Sequence, residues 1–107
     1  MMIEKIELKP EEVDALIKVM LYLKFSCEDT DSLLYASSPI INSVVDKLIN
    51  MYDHKNDWER VFSTLSISKK KFSLSKIERS EQEEGDVLSE DVRAAVLKEY
   101  LHPYKDN

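Results

Sequence analysis

The residues that come closest to a nucleophilic centre are Cys27, His54 and the aspartates on either side of that histidine. A thiol, an imidazole base and an orienting carboxylate such as Asp53 or Asp57 are the parts that covalent catalysis requires. Cys27 follows one predicted helix and His54 follows another, so proximity is possible. No catalytic signature surrounds either residue. We therefore interpret Cys27 as a small core-facing thiol and His54 as a surface histidine.

Metal-ligating side chains are present, but not at the spacing that a metal site requires. Neither His54 nor His102 has a second histidine or a cysteine three or four residues away. The acidic runs at residues 29–31 and 81–86 do not follow the pattern of a calcium-binding loop. We expect no metal and no cofactor, and we interpret the acidic runs as solvated loops.

The charge of the chain is acidic overall and uneven along its length. Acidic residues outnumber basic ones by 21 to 15, which gives a net charge of −6. Residues 1–65 carry −5, residues 66–77 carry +4 and residues 78–107 carry −5. This balance disfavours duplex nucleic acid and anionic membranes as partners. It favours a protein partner with a basic surface.

Two sets of residues are candidates for contact with a partner. The first combines carboxylates, which steer a basic partner, with tyrosines, which are enriched at interfaces but also pack a chain end onto its own core. The second is a basic island, interpreted as a solvated turn or, alternatively, as a patch for nucleic acid. The partner-binding set is Glu81, Glu83, Glu84, Asp86, Tyr100 and Tyr104, and the basic set is Lys69, Lys70 and Lys71.

Compartment and membrane signals are absent from the sequence as it stands. The N-terminal residues contain no apolar stretch of the length that a signal peptide needs. The longest apolar run, Val19–Leu23, is too short to cross a bilayer. A single cysteine cannot form an intramolecular disulfide. The expectation is a cytoplasmic protein without a membrane partner.

Apolar residues at helical spacing predict four helices. Pro10 and Ser38–Pro39 are typical helix starts, Ser89 is a typical N-cap, and Pro103 ends the last helix near Leu101. On the first helix, Lys24 falls on the same face as the apolar residues. The helices are predicted at residues 10–25, 39–53, from about Asp57 to Leu65, and 89–101.

The segment at residues 64–77 changes to a two-residue period. Leu65 and Ile67 alternate with serines before the lysines, and Phe72 and Leu74 alternate with serines after them. This pattern predicts a small β-hairpin with the lysines in its turn. Residues 78–86 are then predicted to form a charged loop that ends near Gly85, and residues 3–8 a short strand or an extended arm.

Together these elements predict a mainly α-helical single domain over residues 1–107, with about four helices and a hairpin-like element. Because no site for chemistry is visible, we expect a binding protein rather than an enzyme. Its concrete form is an inhibitor, an immunity-type protein or another regulator that covers a basic surface. The alternative is a nucleic-acid-associated regulator that uses Lys69–Lys71.

Surplus apolar residues on the first helix also predict self-association. From Val19 onward its remaining faces become apolar, and a chain of this size has little surface with which to cover them. A two-fold homodimer is the simplest arrangement. The alternative is that Leu33, Leu34 and Tyr35 fold over the surplus face.

Overall fold

A computed structural model describes residues 5–51 and 55–105. Within these residues the chain is mainly helical, and no strand occurs. Six α-helices and one 3-10 turn follow one another in the described residues, where the sequence predicts four helices. The observed elements are α1 (Pro10–Phe25), the 3-10 turn (Thr30–Ser32), α2 (Leu33–Ala36), α3 (Pro39–Met51), α4 (Lys55–Val61), α5 (Ile67–Glu84) and α6 (Glu90–Leu101). The helix predicted from about Asp57 to Leu65 runs from Lys55 to Val61.

Helix α1 has the bounds that the sequence predicts. Pro10 occupies its first turn, where the missing N–H is not needed, and the Glu12 carboxylate accepts a hydrogen bond from the Lys9 amide at 2.9 Å. Glu11 and Glu12 lie at the positive end of the helix dipole and Lys24 at the negative end. The termini of α1 are therefore well satisfied.

The apolar core forms where α1 packs on α3 and α3 packs on α4. Apolar residues recur at helical spacing over residues 40–52, which predicts a buried face on α3. Val45, Leu48 and Ile49 are buried as predicted, whereas Ile40 and Val44 are exposed. Burial of such aliphatic side chains stabilises a fold by about 1.5–3 kcal/mol each. The buried cluster consists of Val13, Ile17, Met20, Val45, Leu48, Ile49 and Phe62.

The hairpin predicted at residues 64–77 and the charged loop predicted at 78–86 are wrong. Residues 67–84 form one continuous helix, α5. The side chains that it buries are mainly polar, namely Ser73, Lys76 and Glu81 beside Ile77. Because these buried residues are polar, the apolar residues of this segment do not recur at helical spacing. They alternate with serines instead, and such a two-residue period is typical of a strand.

Both ends of α5 have strong local signals. The Ser66 hydroxyl accepts a hydrogen bond from the Lys69 amide at 3.2 Å and caps the start of the helix. Gly85 follows the last residue with φ +71°, a left-handed conformation that glycine adopts without strain. The chain therefore turns sharply at Gly85 before α6 begins.

The described residues cover the last predicted helix fully and two other predicted elements in part. Helix α6 begins after the N-cap Ser89 and ends at Leu101, as predicted. Helix α3 is described to Met51, and the remainder of its predicted length lies outside the described residues. Residues 3 and 4 of the predicted strand or extended arm also lie outside the described residues, and residues 5–8 form neither strand nor helix. No helix in the described ranges is long and apolar enough to cross a membrane.

Candidate partner-binding surface

The predicted nucleophilic centre is only partly within the described residues. Cys27 is partly buried just after α1, and Asp57 lies in the first turn of α4. His54 and Asp53 lie outside the described residues. Among the residues that the structure describes, no three or more His, Cys, Asp or Glu side chains are grouped to hold a metal ion. Two lysines, Lys24 and Lys76, are completely buried.

Lys24 is completely buried near the end of α1. Its Nζ lies 2.9 Å from Asn42 Oδ1, 2.9 Å from the carbonyl oxygens of Ala36 and Tyr100, and 3.0 Å from the carbonyl oxygen of Glu99. Three of these acceptors are carbonyls in the last turns of α2 and α6. The ammonium therefore neutralises the negative ends of two helix dipoles.

The amine of Lys24 has an unusual pKa but no access to solvent. Burial lowers its pKa to about 7, while the negative charges of Glu99 and Asp46 act in the opposite direction. Lysines of this kind can serve as general bases or form Schiff bases. Here the donors are used by protein oxygens and the side chain is closed off, so we assign Lys24 a structural role.

Tyr100, predicted to contact a partner, is instead completely buried beside two lysines. Its hydroxyl donates a hydrogen bond to the Lys24 carbonyl. The Lys76 ammonium lies 5.4 Å from the centroid of its ring and donates to the Leu23 carbonyl at 2.9 Å. Burial raises the pKa of Tyr100 and lowers that of Lys76. Tyr100 therefore belongs to the interior, where it joins α1, α5 and α6.

Tyr104 is partly buried, and its ring contacts two other aromatic rings. It meets Phe62 edge-on at a centroid distance of 4.9 Å and Phe25 at 5.5 Å. Burial raises the pKa of its phenol. Tyr104 packs the end of the chain against the core, and it also reaches the surface groove that is described below.

Glu81 is a buried link between α5 and α6 rather than an exposed charge. Its carboxylate accepts hydrogen bonds from the Leu88 amide at 2.7 Å and from Arg93 Nη2 at 2.5 Å. The hydrogen bond from Arg93, followed by that from Leu88, lowers the pKa of Glu81. Of the four carboxylates predicted to face a partner, Glu81 is thus used within the fold.

The other three predicted carboxylates, Glu83, Glu84 and Asp86, are exposed. They belong to residues 78–91, which contain seven acidic residues and one basic residue and which we call the acidic corner. Its net charge of −6 equals that of the whole chain, so the remaining residues carry fourteen acidic and fourteen basic groups. The acidic corner is where α5 ends and α6 begins.

A partly apolar cleft opens between these carboxylates. It has a volume of about 300 Å³, and its walls come from α2, α5, the turn after Gly85 and α6. Val87, at its mouth, is 79% exposed. Glu84 and Asp86 line it together with Leu33, Val92 and Val96. We call this the acidic cleft, and its lining combines apolar side chains with carboxylates.

The lysines of the predicted turn lie in the first turns of α5 and do not form one patch. Successive helical residues are rotated by about 100°, so Lys69 and Lys71 point in different directions. Lys69 lines a second cavity, of about 580 Å³, whereas Lys71 is exposed elsewhere. This lysine–aromatic groove is lined by Lys18, Tyr22, Phe25, Lys69, Phe72 and Tyr104, with Leu21 and two serines.

Helix α5 carries its charges in the reverse of the order that a helix dipole prefers. Lys69 and Lys70 lie in its first turn, whereas Glu83 and Glu84 are its last two residues. Helices α1 and α6 both have acidic residues in the first turn and a lysine in the last. A charge at the wrong end of a helix is unfavourable by about 0.3–1 kcal/mol. Helix stability therefore does not account for the charges of α5.

Of the surplus apolar residues expected on α1, Val19 and Tyr22 are exposed, whereas Leu23 and Phe25 are partly buried. Leu16, predicted on the inward face, is exposed too. Leu34 and Tyr35 of α2 are also open to solvent. The latter two residues therefore bring further apolar surface instead of being buried as a cover. Self-association through this face remains a prediction.

No protein-family model, no curated protein and no solved structure matches this chain.

Proposed function

We propose that this protein binds a basic protein partner through the acidic corner and its cleft, and that it catalyses no reaction itself. An inhibitor or immunity-type protein that covers a basic active surface is the concrete form. The observation that carries the proposal is that residues 78–91 have a net charge of −6 and that two of their carboxylates, Glu84 and Asp86, line a partly apolar cleft. Interfaces commonly combine an apolar centre with a charged rim.

The two parts of this surface have different physical roles. The carboxylates raise the rate of association with a positively charged surface, because their field orients the partner before contact. The apolar walls around Val87 and Val92 provide the contact that slows dissociation. The matching partner surface presents an apolar side chain among lysines or arginines.

The reversed charges of α5 support the same proposal. Glu83 and Glu84 are placed where a lysine would stabilise the helix. Since Glu81 already holds α5 to α6, the fold does not depend on a negative charge at Glu84. The Glu83 carboxylate accepts a hydrogen bond from the Thr30 hydroxyl, so it is Glu84 whose charge a role in recognition explains.

The test is affinity capture from the source cells, followed by binding kinetics with the purified partner. Glu84→Lys is the test variant. Glu11→Lys, an exposed change of equal charge at the start of α1, is its control. We expect the captured protein to have a basic binding surface and Glu84→Lys to slow association at least tenfold at low salt, with a weaker salt dependence. Equal binding by the wild type and both variants would contradict the proposal.

The alternative function, binding of nucleic acid through Lys69–Lys71, is less favoured because the three lysines diverge around α5. A salt-sensitive duplex binder makes about 6–10 phosphate contacts, more than this segment offers. We expect no binding of DNA or RNA at physiological salt. A gel shift with an affinity of about 1 micromolar or better would reverse this order.

A further inference from the structure

The lysine–aromatic groove lies between α1 and the first turns of α5, at the opposite end of α5 from the acidic corner. Four aromatic residues and Leu21 form its walls, and Lys18 and Lys69 supply positive charge. Lys18 is already paired with Asp14 at 2.7 Å. Lys69 is therefore the cation of the groove that is left to bind an incoming anion.

The ammonium of Lys69 lies beside two rings that contact each other. It lies 5.9 Å from the centroid of Phe25 and 5.7 Å from that of Tyr104. Contacts of this kind orient a lysine but do not neutralise its charge. Among the described residues, no carboxylate lies within ion-pair distance of Lys69. An anionic group that enters the groove would thus meet an oriented cation beside an aromatic wall.

A fitting occupant needs carboxylates next to an exposed apolar side chain. The acidic corner has this chemistry, because Val87 is 79% exposed and lies beside Asp86 and near Glu84. The corner of one molecule cannot reach its own groove. Lys69 and Glu84 are separated by 15 residues of one rigid helix, or about 22 Å at 1.5 Å per residue.

We propose that the lysine–aromatic groove binds the acidic corner of a second copy of this chain, head to tail. The inference deepens the proposed function, since it uses the same acidic corner and names one basic surface that fits it. Carboxylates of one copy pair with Lys69 of the next, and Val87 packs against the aromatic wall. Because the two surfaces differ, the contact is heterologous, and repetition yields a ring or an open chain.

Self-association of this kind masks the acidic corner. A copy whose corner lies in a neighbour's groove cannot offer it to a basic partner. The contact is salt-sensitive, because its charges are screened over about 8 Å at physiological ionic strength. Concentration and salt would then control how much of the partner-binding surface is free.

The test uses two complementary variants and analytical ultracentrifugation. Lys69→Glu alters the groove, and Glu84→Lys with Asp86→Lys alters the corner. We expect the wild-type mass to rise above the 12.5 kDa monomer between about 10 micromolar and 1 millimolar, a range in which weak contacts form. Each variant alone is expected to associate at least tenfold more weakly.

A mixture of the two variants gives the sharpest result. The variant with the altered groove keeps its corner, and the variant with the altered corner keeps its groove. Because charges reversed on both sides would attract each other, the mixture uses neutral versions of the two variants, Lys69→Met and Glu84→Gln with Asp86→Asn. We expect an equimolar mixture of these to form a dimer that grows no further, since each molecule then has one functional surface. Lys71→Glu, two residues along the same helix but outside the groove, is the matched control and should associate like the wild type. Circular dichroism checks that every variant is folded.

Several results would overturn the inference. A monomeric wild type at all concentrations, or folded variants that do not associate when mixed, would show that the two surfaces do not meet. Unchanged dimerisation of both variants would place the contact elsewhere, such as on the apolar face of α1. Binding of a single-stranded oligonucleotide that Lys69→Glu abolishes would identify a nucleic acid as the occupant.

The proposed function can be separated from this inference. Lys69→Glu leaves the acidic corner intact, so it should capture a basic partner as the wild type does. If self-association fails while Glu84→Lys still loses that partner, only the head-to-tail contact is refuted. If Glu84→Lys keeps the partner, the proposed function is refuted whatever the mass measurements show.

Discussion

Lys24 and Tyr100, 76 residues apart, are joined by two hydrogen bonds that run in opposite directions. Lys24 Nζ donates to the Tyr100 carbonyl at 2.9 Å, and the Tyr100 hydroxyl donates to the Lys24 carbonyl. The pair connects the C-terminal ends of α1 and α6, the first and last helices that the structure describes. The fold is thus closed by a buried polar contact beside its apolar core.

Replacement of Lys24 by methionine is expected to destabilise the protein strongly. Lys24→Met keeps an apolar stem but leaves four buried oxygens without this donor, and each acceptor that stays unsatisfied costs about 1–3 kcal/mol. We expect a loss of about 2–4 kcal/mol in the free energy of unfolding, measured by chemical denaturation. Lys47→Met, on the exposed side of α3, is the control and should change it by less than about 0.5 kcal/mol. Similar losses in both variants would contradict the role given to Lys24.

Stability is expected to rise with pH above about 7. The pKa of Lys24 is about 7 in the folded protein and about 10.5 in the unfolded chain, so between these values the unfolded chain binds more protons. Stability therefore increases with pH in this window. Lys76, whose pKa burial also lowers, acts in the same direction. Above pH 10 the raised pKa of Tyr100 opposes the trend, because only the unfolded chain loses the phenol proton there.

Urea denaturation at a series of pH values from 6 to 11 measures this profile. Lys24→Met should show a smaller rise between pH 7 and 10 than the wild type, since the proton of Lys24 no longer contributes. Tyr100→Phe should reduce the fall above pH 10. A wild-type profile that is flat from pH 7 to 10 would show that Lys24 keeps its ordinary pKa in the folded protein.

Sequence periodicity was sufficient to predict the helices that bury apolar side chains. Helices α1 and α6 have the predicted bounds, because proline, serine and acidic residues mark their starts. The stripe on α3 predicted buried residues at Val45 and Ile49. In these helices, local preference and tertiary packing favour the same structure.

Helix α5 could not be recognised in this way because its buried face is polar. Ser73 is buried with its hydroxyl donating to the Lys69 carbonyl at 2.8 Å, while Lys76 and Glu81 have partners on α1 and α6. These partners are distant in sequence, so no local pattern reveals that the residues are inside. The absence of glycine and proline between residues 40 and 84 is the signal that favoured a long helix.

The candidate site was predictable only in part. The charge run at residues 78–91 marked the acidic corner, but the cleft needs Leu33 and Val96, which come from separate helices. The burial of Tyr100 depends on Lys24, whose position on the apolar stripe of α1 was visible in the sequence. A lysine at such a position indicates a buried ammonium that needs acceptors.

The structure separates two isoleucines that the sequence pattern of α3 places together on its apolar face. Ile49 is buried in the core, whereas Ile40 is 77% exposed. Ile49→Ala should lower the free energy of unfolding by about 2–5 kcal/mol, because it removes buried methyl groups and leaves a cavity. Ile40→Ala should change it by less than about 0.5 kcal/mol. Thermal or chemical denaturation of both variants tests the assignment, and equal effects would refute it.

Glu81 is expected to contribute to stability only above its pKa. Its folded-state pKa lies below the usual value near 4.5, so the stabilisation is present at neutral pH and is lost as the pH falls through that region. Glu81→Gln should therefore be less stable than the wild type at pH 7, and the difference should narrow below pH 4.5. Glu84→Gln, exposed one turn further along α5, should show no such convergence. A difference for Glu81→Gln that is independent of pH would contradict an ionised Glu81–Arg93 pair.

Glu84→Lys is expected to separate folding from recognition, because the two should change in opposite directions. A lysine in the last turn of α5 suits the negative end of the helix dipole better than a glutamate does, and it lies near the carboxylates of the acidic corner. We expect the melting temperature to rise by about 1–5 °C. The same change removes a rim charge from the acidic cleft, so association with a basic partner should slow. Calorimetry and stopped-flow binding of the same preparation test both effects. A lower melting temperature would show that Glu84 supports the fold, and its place on the acidic rim would then need no explanation by recognition.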